Sequence, residues 1–200
     1  MKKESVRLLD NGIFYCQHLL DDDNRKLIQN FQVKNDDAGG LENFIKEYAY
    51  QLEESNEEKT YVVKDSESNE LVAYFSIKAG TVRKNERVHI FGTNEFDLLP
   101  GVEISNFAVN SNYCLHHDFH MKIGEIVMAD FIFPIIKELS QKVAINTLYL
   151  FVLPSEKLIQ HYKDMGFQRL SLKHERKMHH GIRPRYDKGC IFMRMSVKSL

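Results

Sequence analysis

A short apolar run that leads directly into an amphipathic segment constrains the fold of this chain more than any other feature. Residues 147–153 (TLYLFVL) are almost entirely apolar, which predicts a buried β-strand. After a turn at Pro154, apolar side chains recur at helical spacing: Leu158, Ile159, Tyr162 and Met165. Gly166 stands where a residue in the left-handed conformation commonly ends a helix. The segment therefore predicts a strand–turn–helix unit of an α/β domain.

The composition fits one soluble domain with a sizeable core. The chain has 200 residues, of which 43% are hydrophobic, and we expect a single domain over residues 1–200. It contains no run of about 18 apolar residues, so we expect no membrane association. Cys16, Cys114 and Cys190 are odd in number and form no CxxC pair, which favours a reducing, cytoplasmic location.

Charge is distributed unevenly along the chain. Residues 1–100 contain 13 basic and 19 acidic residues, whereas residues 155–200 contain 11 basic and 4 acidic residues. A basic C-terminal part favours polyanions, such as the phosphates of a nucleotide cofactor or of nucleic acid. A solvated surface is the commoner reason for such charges.

Periodicity predicts two N-terminal helices, a β-hairpin, a strand, a long apolar helix, a strand, a helix and two final strands. In that order they span residues 21–31, 41–52, 60–64, 71–78, 101–109, 123–143, 147–153, 155–165, 167–172 and 190–196. Residues 53–59 form a charged linker, and residues 80–100 are less regular and suit a substrate-covering insertion. Pro134 is expected to kink the long helix, because it removes one backbone donor.

This order of elements resembles that of the GNAT acetyltransferases over about residues 60–170. The resemblance rests on the hairpin strand LVAYFSI, the strand with Glu103, and the pattern Tyr-x-x-x-Gly-Phe that begins at Tyr162. It implies an α/β fold in which helices flank a mixed, mostly antiparallel sheet and strands four and five splay apart. The N-terminal helices and a basic C-terminal strand extension would then be additions to the family core.

The resemblance also implies how acetyl-CoA would bind. The segment ISNFAVNSNY (residues 104–113) is similar to the fourth strand of the family, whose free backbone groups pair with pantetheine. The pyrophosphate loop departs from the family pattern. Only Gly124 matches a glycine of that loop, since Lys122 replaces the other glycine and Phe119 replaces a Gln or Arg. The segment of residues 114–121 is also several residues longer than the corresponding loop of the family. Cofactor contacts are implied for Phe107, Ala108, Val109, Lys122, Ile123, Gly124, Glu125 and Ser155, the last standing where many relatives have an asparagine.

Two side chains match the proton-transfer groups of the family. Amine attack on a thioester needs a neutral nucleophile and a proton for the departing sulfur. Glu103 resembles the base of the family, with a solvent-facing strand residue as the alternative interpretation. Tyr162 resembles the acid, because a phenol with a pKa of about 10 stays protonated at neutral pH and can donate to a thiolate.

The favoured interpretation is an acetyl-CoA-dependent N-acetyltransferase whose amine acceptor, a small molecule or a peptide, the sequence does not identify. One alternative is a toxin-like GNAT enzyme that acetylates aminoacyl-tRNA and grips RNA with Arg183, Arg185 and Lys188. The other is a non-catalytic acyl-CoA-binding module. A homodimer is a further expectation, with residues 191–195 as an edge strand that pairs with a second copy.

We expect no metal site. The histidine-bearing clusters contain His116, His117, Asp118 and His120, and His174, His179 and His180. Neither cluster has paired ligands at a spacing that places them on one helical face.

Overall fold

The computed structural model describes residues 6–35, 38–90, 93–117, 121–172, 175–176 and 189–200. The chain divides into two compact units. The first comprises Met1–Lys78 and Ser105–Pro134, and the second comprises Ala79–Ile104 and Ile135–Leu200. The expectation of one domain over the whole chain stays a prediction.

The described strands form one mixed sheet with the order β1-β2-β3-β4-β5-β6-β8-β7. Their bounds are β1 Leu9–Asp10, β2 Phe14–His18, β3 Lys59–Asp65, β4 Leu71–Ile90, β5 Thr93–Val109, β6 Thr147–Val152, β7 Gln168–Arg169 and β8 Ile191–Ser196. Strands β5 and β6 run parallel, whereas the pairs β1–β2, β2–β3, β3–β4, β6–β8 and β7–β8 are antiparallel. The predicted mixed, mostly antiparallel sheet with flanking helices is confirmed.

The described helices are α1 Arg25–Gln29, α2 Gly39–Asn43, α3 Ala49–Glu54, α4 Ser111–His116, α5 Ile123–Val127, α6 Phe133–Lys142 and α7 Glu156–Asp164. A π-helical segment, Phe44–Tyr48, joins α2 to α3, so the predicted helix begins at Gly39 rather than after the two glycines. A second π-helical segment, Met128–Ile132, joins α5 to α6 and ends just before Pro134. The predicted long helix therefore forms, and its irregularity lies in the turn where the proline removes a donor.

Aromatic packing organises the core of the first unit. Tyr74 on β4 is fully buried, and its ring lies 5.2 Å from that of Phe31 and 6.0 Å from that of Phe44. Its hydroxyl donates to the carbonyl oxygen of Leu41 at 2.5 Å, which satisfies the one polar atom of the side chain. The N-terminal helices are thereby fixed against the hairpin strand.

The core of the second unit lies around β6. Tyr149 is 1% exposed and packs with the fully buried residues Val82 and Phe192. Phe151 and Leu170 cover this cluster from partly buried positions. The apolar run of residues 147–153 is thus a buried strand, as its composition predicts, and it pairs on both sides.

Several predictions of local structure are wrong. Strands β1 and β2 have no counterpart among the predicted elements, and the stretch predicted as an irregular insertion belongs to the long strands β4 and β5. The charged sequence RKNERVH (residues 83–89) lacks the apolar alternation by which a strand is recognised, so the extension was missed. The strand expected over residues 167–172 is only Gln168–Arg169.

Two further corrections concern the C-terminal strand and the charged linker. Strand β8 is not at an edge as predicted, because it lies between β6 and β7. Strand β7 pairs with Met193 and Arg194 of β8, within the segment proposed to bind a second copy. The predicted charged linker of residues 53–59 is also shorter, because α3 runs to Glu54 and β3 begins at Lys59, and two of its carboxylates, Glu53 and Glu58, are buried.

Candidate active site

Glu103 is buried on β5 and has a partner. Glu103 is only 6% exposed, so the alternative interpretation, a strand residue that faces solvent, is wrong. Glu103 stands opposite Tyr149 in the parallel pairing of β5 and β6, and the Tyr149 hydroxyl donates a hydrogen bond to its carboxylate. Burial and the neighbouring Glu103 charge both raise the pKa of Tyr149, which keeps the phenol a donor.

The pairing of β5 with β6 covers only the first part of the strand that carries Glu103. It runs from Gly101 opposite Thr147 to Ile104 opposite Leu150. Strand β5 continues to Val109 beyond this pairing. Residues 107–109, predicted to bind pantetheine through their backbone, therefore lie where β5 has left its ladder with β6.

A buried carboxylate that was not predicted holds β5 immediately after Glu103. Glu58 accepts hydrogen bonds from the Ser105 hydroxyl at 2.8 Å and from the Asn106 side-chain amide at 3.2 Å. It also forms an ion pair with Lys78 at 3.5 Å. These contacts fix the backbone at the start of the presumed cofactor strand. Glu58 was missed because its own segment is acidic and polar, the pattern of an exposed linker.

A pocket of about 540 Å³ lies in the first unit at the start of α5. Its described lining is Val109, Cys114, Leu115, His116, His117, Met121, Ile123 and Gly124. Three residues predicted to bind the cofactor, Val109, Ile123 and Gly124, thus come together around one cavity. The N-terminus of a helix beside such a cavity suits an anion, because its backbone N–H groups lack partners within the helix.

The Lys122 side chain lies beside this helix start but is paired. Its ammonium group lies 2.7 Å from the Glu125 carboxylate, and the two side chains are 71% and 41% exposed. The backbone amide of Glu125 also donates to the Lys122 carbonyl oxygen. The charge of Lys122, one of the implied cofactor contacts, is therefore balanced by a carboxylate one turn away.

Helix α4 places two histidines on the pocket wall, although the sequence suggested only an elongated loop here. The Asn110 side chain accepts from the Asn112 amide and caps α4. His117 stacks on Tyr113 at 4.1 Å between ring centres, and its Nε2 lies 2.7 Å from a Glu70 carboxylate oxygen. The hydrogen-bonding capacity of Asn110 was the signal that could have revealed this helix.

The Tyr113 hydroxyl anchors the same wall from inside. It donates to the Asp65 carboxylate at 2.6 Å, and burial together with this bond raises the pKa of Tyr113. The hydrogen bonds that Asp65 receives, from Tyr113 among others, hold the pKa of its carboxyl below the usual value despite its partial burial. The pocket wall is therefore a fixed polar network rather than an open loop.

Tyr162 lies on α7 in the second unit, the same unit as Glu103. It is half-buried, and its ring packs edge-on against Phe167 at 5.7 Å and against His161 at 5.6 Å. Burial raises the pKa of its hydroxyl to about 12, so the group stays protonated at neutral pH. Gly166 ends the helix segment with a φ of 96°, as predicted from its position.

Ser155 stands at the N-terminus of α7 and is exposed. Its side chain makes no capping hydrogen bond, although serine commonly caps helices. The hydroxyl is therefore not used to begin the helix, and its predicted contact with the cofactor arm stays a prediction.

Several predicted sites lie outside the described residues. These are Phe119, the RNA-binding residues Arg183, Arg185 and Lys188, and the histidine clusters apart from His116 and His117. Within the described ranges, no group of three or more His, Cys, Asp or Glu side chains is arranged to hold a metal ion. The described part of the chain also contains no helix that is long and apolar enough to cross a membrane.

Comparison with known proteins establishes the fold. No family model matches the sequence, and no curated protein matches it. Among solved structures, a tyrosine-to-phenylalanine mutant of the toxin AtaT, bound to acetyl-CoA and the C-terminus of the antitoxin AtaR, is similar with a TM-score of 0.65 at 15% identity. The match covers 93% of this chain and 94% of that one.

Two more structures are similar over nearly their whole length. A tyrosine-to-phenylalanine mutant of KacT has a TM-score of 0.64 at 16% identity and covers 94% of this chain and 96% of its own. AtaT complexed with acetyl-methionyl-tRNAfMet has a TM-score of 0.64 at 14% identity and covers 93% of this chain and 96% of its own. AtaT and KacT are GNAT-family acetyltransferases, and this chain has the GNAT fold.

Proposed function

We propose that this protein is an acetyl-CoA-dependent N-acetyltransferase that acts on the amino group of an aminoacyl-tRNA. The observation that carries the proposal is the similarity over 93% of the chain to AtaT, which is seen with acetyl-CoA and with acetyl-methionyl-tRNAfMet. Of the interpretations that the sequence left open, this similarity favours the toxin-like enzyme over one that acts on a small-molecule or peptide amine.

Glu103 would accept a proton from the ammonium group of the acceptor, directly or through water. The resulting amine attacks the thioester carbonyl, a C–N bond forms, and the C–S bond to coenzyme A breaks. Tyr162 would donate its phenolic proton to the departing sulfur and would be reprotonated, through water, by the second proton that the attacking nitrogen loses as it becomes an amide. The raised pKa of Tyr162 keeps the donor form present at every physiological pH, and it also makes the phenol a weaker acid than an ordinary tyrosine.

The first unit would hold the cosubstrate. Backbone groups of Phe107, Ala108 and Val109 would pair with pantetheine, because they lie beyond the β5–β6 ladder. The backbone amides of Ile123 and Gly124 would bind the pyrophosphate in the pocket at the start of α5, with Glu125 beside them, whose own amide donates to the Lys122 carbonyl oxygen.

Two further side chains, those of Lys122 and Ser155, would have smaller roles in binding the cosubstrate. Lys122 would contribute a cation that is tempered by Glu125. Ser155 would hydrogen-bond the cofactor arm, since its hydroxyl does not cap α7.

The proposed acceptor implies the setting and the partners. Aminoacyl-tRNA is a cytoplasmic substrate, which agrees with the three cysteines, none of which forms a disulfide. The similar toxins are also seen with an antitoxin and, in the KacTA complex, with DNA. A protein antitoxin is therefore a proposed partner, and a homodimer remains a further one.

The test is transfer of a labelled acetyl group by the purified chain. Labelled acetyl-CoA is mixed with methionyl-tRNA, with uncharged tRNA, and with spermidine as a small amine. We expect label in methionyl-tRNA alone, with transfer lost in Tyr162→Phe. Label in spermidine at a comparable rate would instead identify a small-amine enzyme. Binding of acetyl-CoA by calorimetry without transfer to any acceptor would identify a non-catalytic module.

A further inference from the structure

The ring of Tyr149 occupies a space that two glycines leave open. A β-carbon added at Gly80 on β4 would lie 2.0 Å from the Tyr149 hydroxyl oxygen, a distance that real side chains do not reach. A β-carbon at Gly101 on β5 would lie 3.2 Å from Cε1 of the same ring and 3.0 Å from the Thr147 carbonyl oxygen. The phenol therefore extends from β6 across the backbone of β5 to β4. A β-carbon at Gly80 would displace it, and one at Gly101 would press against its ring.

Apolar packing fixes the position of the ring. Tyr149 is 1% exposed, and its ring lies 5.5 Å from that of Phe192. Val82 completes the buried cluster, with Phe151 and Leu170 packed against it. The ring thus has one position, and its hydroxyl is delivered to one place on the face of β5.

That place is beside Glu103. Gly101 and Glu103 are two residues apart on a strand, so they share a face of the sheet. Glu103 stands opposite Tyr149 in register, and its carboxylate accepts the Tyr149 hydrogen bond. A carboxylate has two oxygens, so a bond to one of them orients the group and leaves acceptor capacity for a second donor.

We propose that Tyr149, held by Gly80 and Gly101, is a positioning residue that orients the Glu103 carboxylate toward the acceptor amine. This inference rests on the proposed function, in which Glu103 is the base. Two glycines within long strands accommodate this one phenol, although glycine weakens the interior of a strand. If this side chain served only to pack the core, a phenylalanine would do the same and would need no space for a hydroxyl. The space at Gly80 therefore indicates that the hydroxyl has a role.

The experiment compares Tyr149→Phe with Phe192→Leu in the full-length chain, with methionyl-tRNA as acceptor. Tyr149→Phe removes the hydroxyl and keeps the ring, so we expect kcat to fall about tenfold, the effect of one lost hydrogen bond, with the KM for acetyl-CoA within about twofold of wild type. Phe192→Leu loosens the packing around the same ring but keeps the hydroxyl that bonds to Glu103. It should lower the unfolding temperature more than Tyr149→Phe does and lower kcat less.

A second pair of variants tests the geometry without any assay of activity. Gly80→Ala should lower the unfolding temperature of wild type more than it lowers that of Tyr149→Phe, because the 2.0 Å contact involves the hydroxyl oxygen. Equal effects in both backgrounds would show that the hydroxyl does not lie at Gly80. The proposal that Gly80 and Gly101 hold Tyr149 in place would then be wrong.

The outcomes separate this inference from the proposed function. If Glu103→Gln loses activity while Tyr149→Phe keeps the wild-type kcat, the positioning role is overturned and the acetyltransferase stands. If wild type transfers no acetyl group, the proposed function fails, and with it the role of Tyr149. The Gly80→Ala comparison would still establish where the phenol lies.

Discussion

The two compact units place their candidate functional groups in opposite environments. In the first unit, the pocket at α5 is bordered by exposed side chains, with Leu115 78% and Met121 52% exposed and the Lys122–Glu125 pair open to solvent. In the second unit, Glu103 is buried and Tyr162 is half-buried among aromatic rings. The difference follows from the proposed chemistry. Backbone donors can bind a phosphate at a surface, whereas proton transfer needs groups whose pKa and orientation the surroundings control.

This contrast predicts large effects on turnover for substitutions in the second unit and modest effects on affinity for those in the first. The largest expected effect is that of Tyr162→Phe, which removes the proton for the departing sulfur and keeps the ring contact with Phe167. We expect kcat to fall by about two to four orders of magnitude. Steady-state kinetics gives kcat, and calorimetry should show unchanged affinity for acetyl-CoA. Full activity of this variant would remove the assigned acid.

Glu103→Gln should have the next largest effect. The amide is isosteric and still accepts from Tyr149, but it cannot take a proton, so we expect kcat to fall about 100-fold. The matched control is Glu58→Gln, which changes a buried carboxylate that contacts Ser105, Asn106 and Lys78. The control should lower the unfolding temperature more than Glu103→Gln and reduce kcat less. If Glu58→Gln instead lowered kcat more than Glu103→Gln, the essential carboxylate would be Glu58 in the first unit, and the assignment of Glu103 as the base would be wrong.

Changes at the exposed pair in the first unit should be smaller and opposite in sign. Lys122→Gln removes the cation that faces Glu125 beside the phosphate site, and we expect acetyl-CoA to bind about three- to tenfold more weakly. Glu125→Gln removes the carboxylate that offsets the charge of Lys122, and binding should tighten by a similar factor, more so at low salt. Calorimetry at two salt concentrations measures both variants. Effects of the same sign would mean that the pair does not meet the cofactor phosphates.

The smallest expected effect is that of alkaline pH on the acid. Burial raises the pKa of Tyr162 from 10.0 to about 12, so the donor form persists and kcat should not decline because of this group up to about pH 10. Because the folded state holds the proton more tightly than the unfolded chain, its contribution to stability is complete below pH 10 and is lost as pH rises toward 12.

Ultraviolet absorbance of tyrosinate measures this titration directly. The difference between wild type and Tyr162→Phe should develop only above about pH 11. A difference that develops near pH 10 would show that the Tyr162 phenol is not desolvated. The description of the second unit as the one that buries its functional groups would then hold for Glu103 alone.

Local patterns were sufficient for the elements that carry the candidate acid and the helix of the pocket. The buried strand, helix α7 and the left-handed Gly166 follow from apolar spacing and from the freedom of glycine, which neighbouring residues decide. The start of α5 at Ile123 was predicted in the same way. Helix α4 and strands β1 and β2 were not, because their signals are short or polar and depend on partners elsewhere in the chain.

By itself the sequence determined helix α7, which carries Tyr162, and the start of α5 at Ile123, because each depends on residues within a few positions of one another. The tertiary structure decided which groups those residues meet. Only the pairing of β5 with β6 places Tyr149 beside Glu103, and only the packing of α4 places Tyr113 against Asp65 and His117 against Glu70. The partners are separated by tens of residues along the chain, so no periodicity links them. Contacts of that range arise only when folding brings distant strands into register.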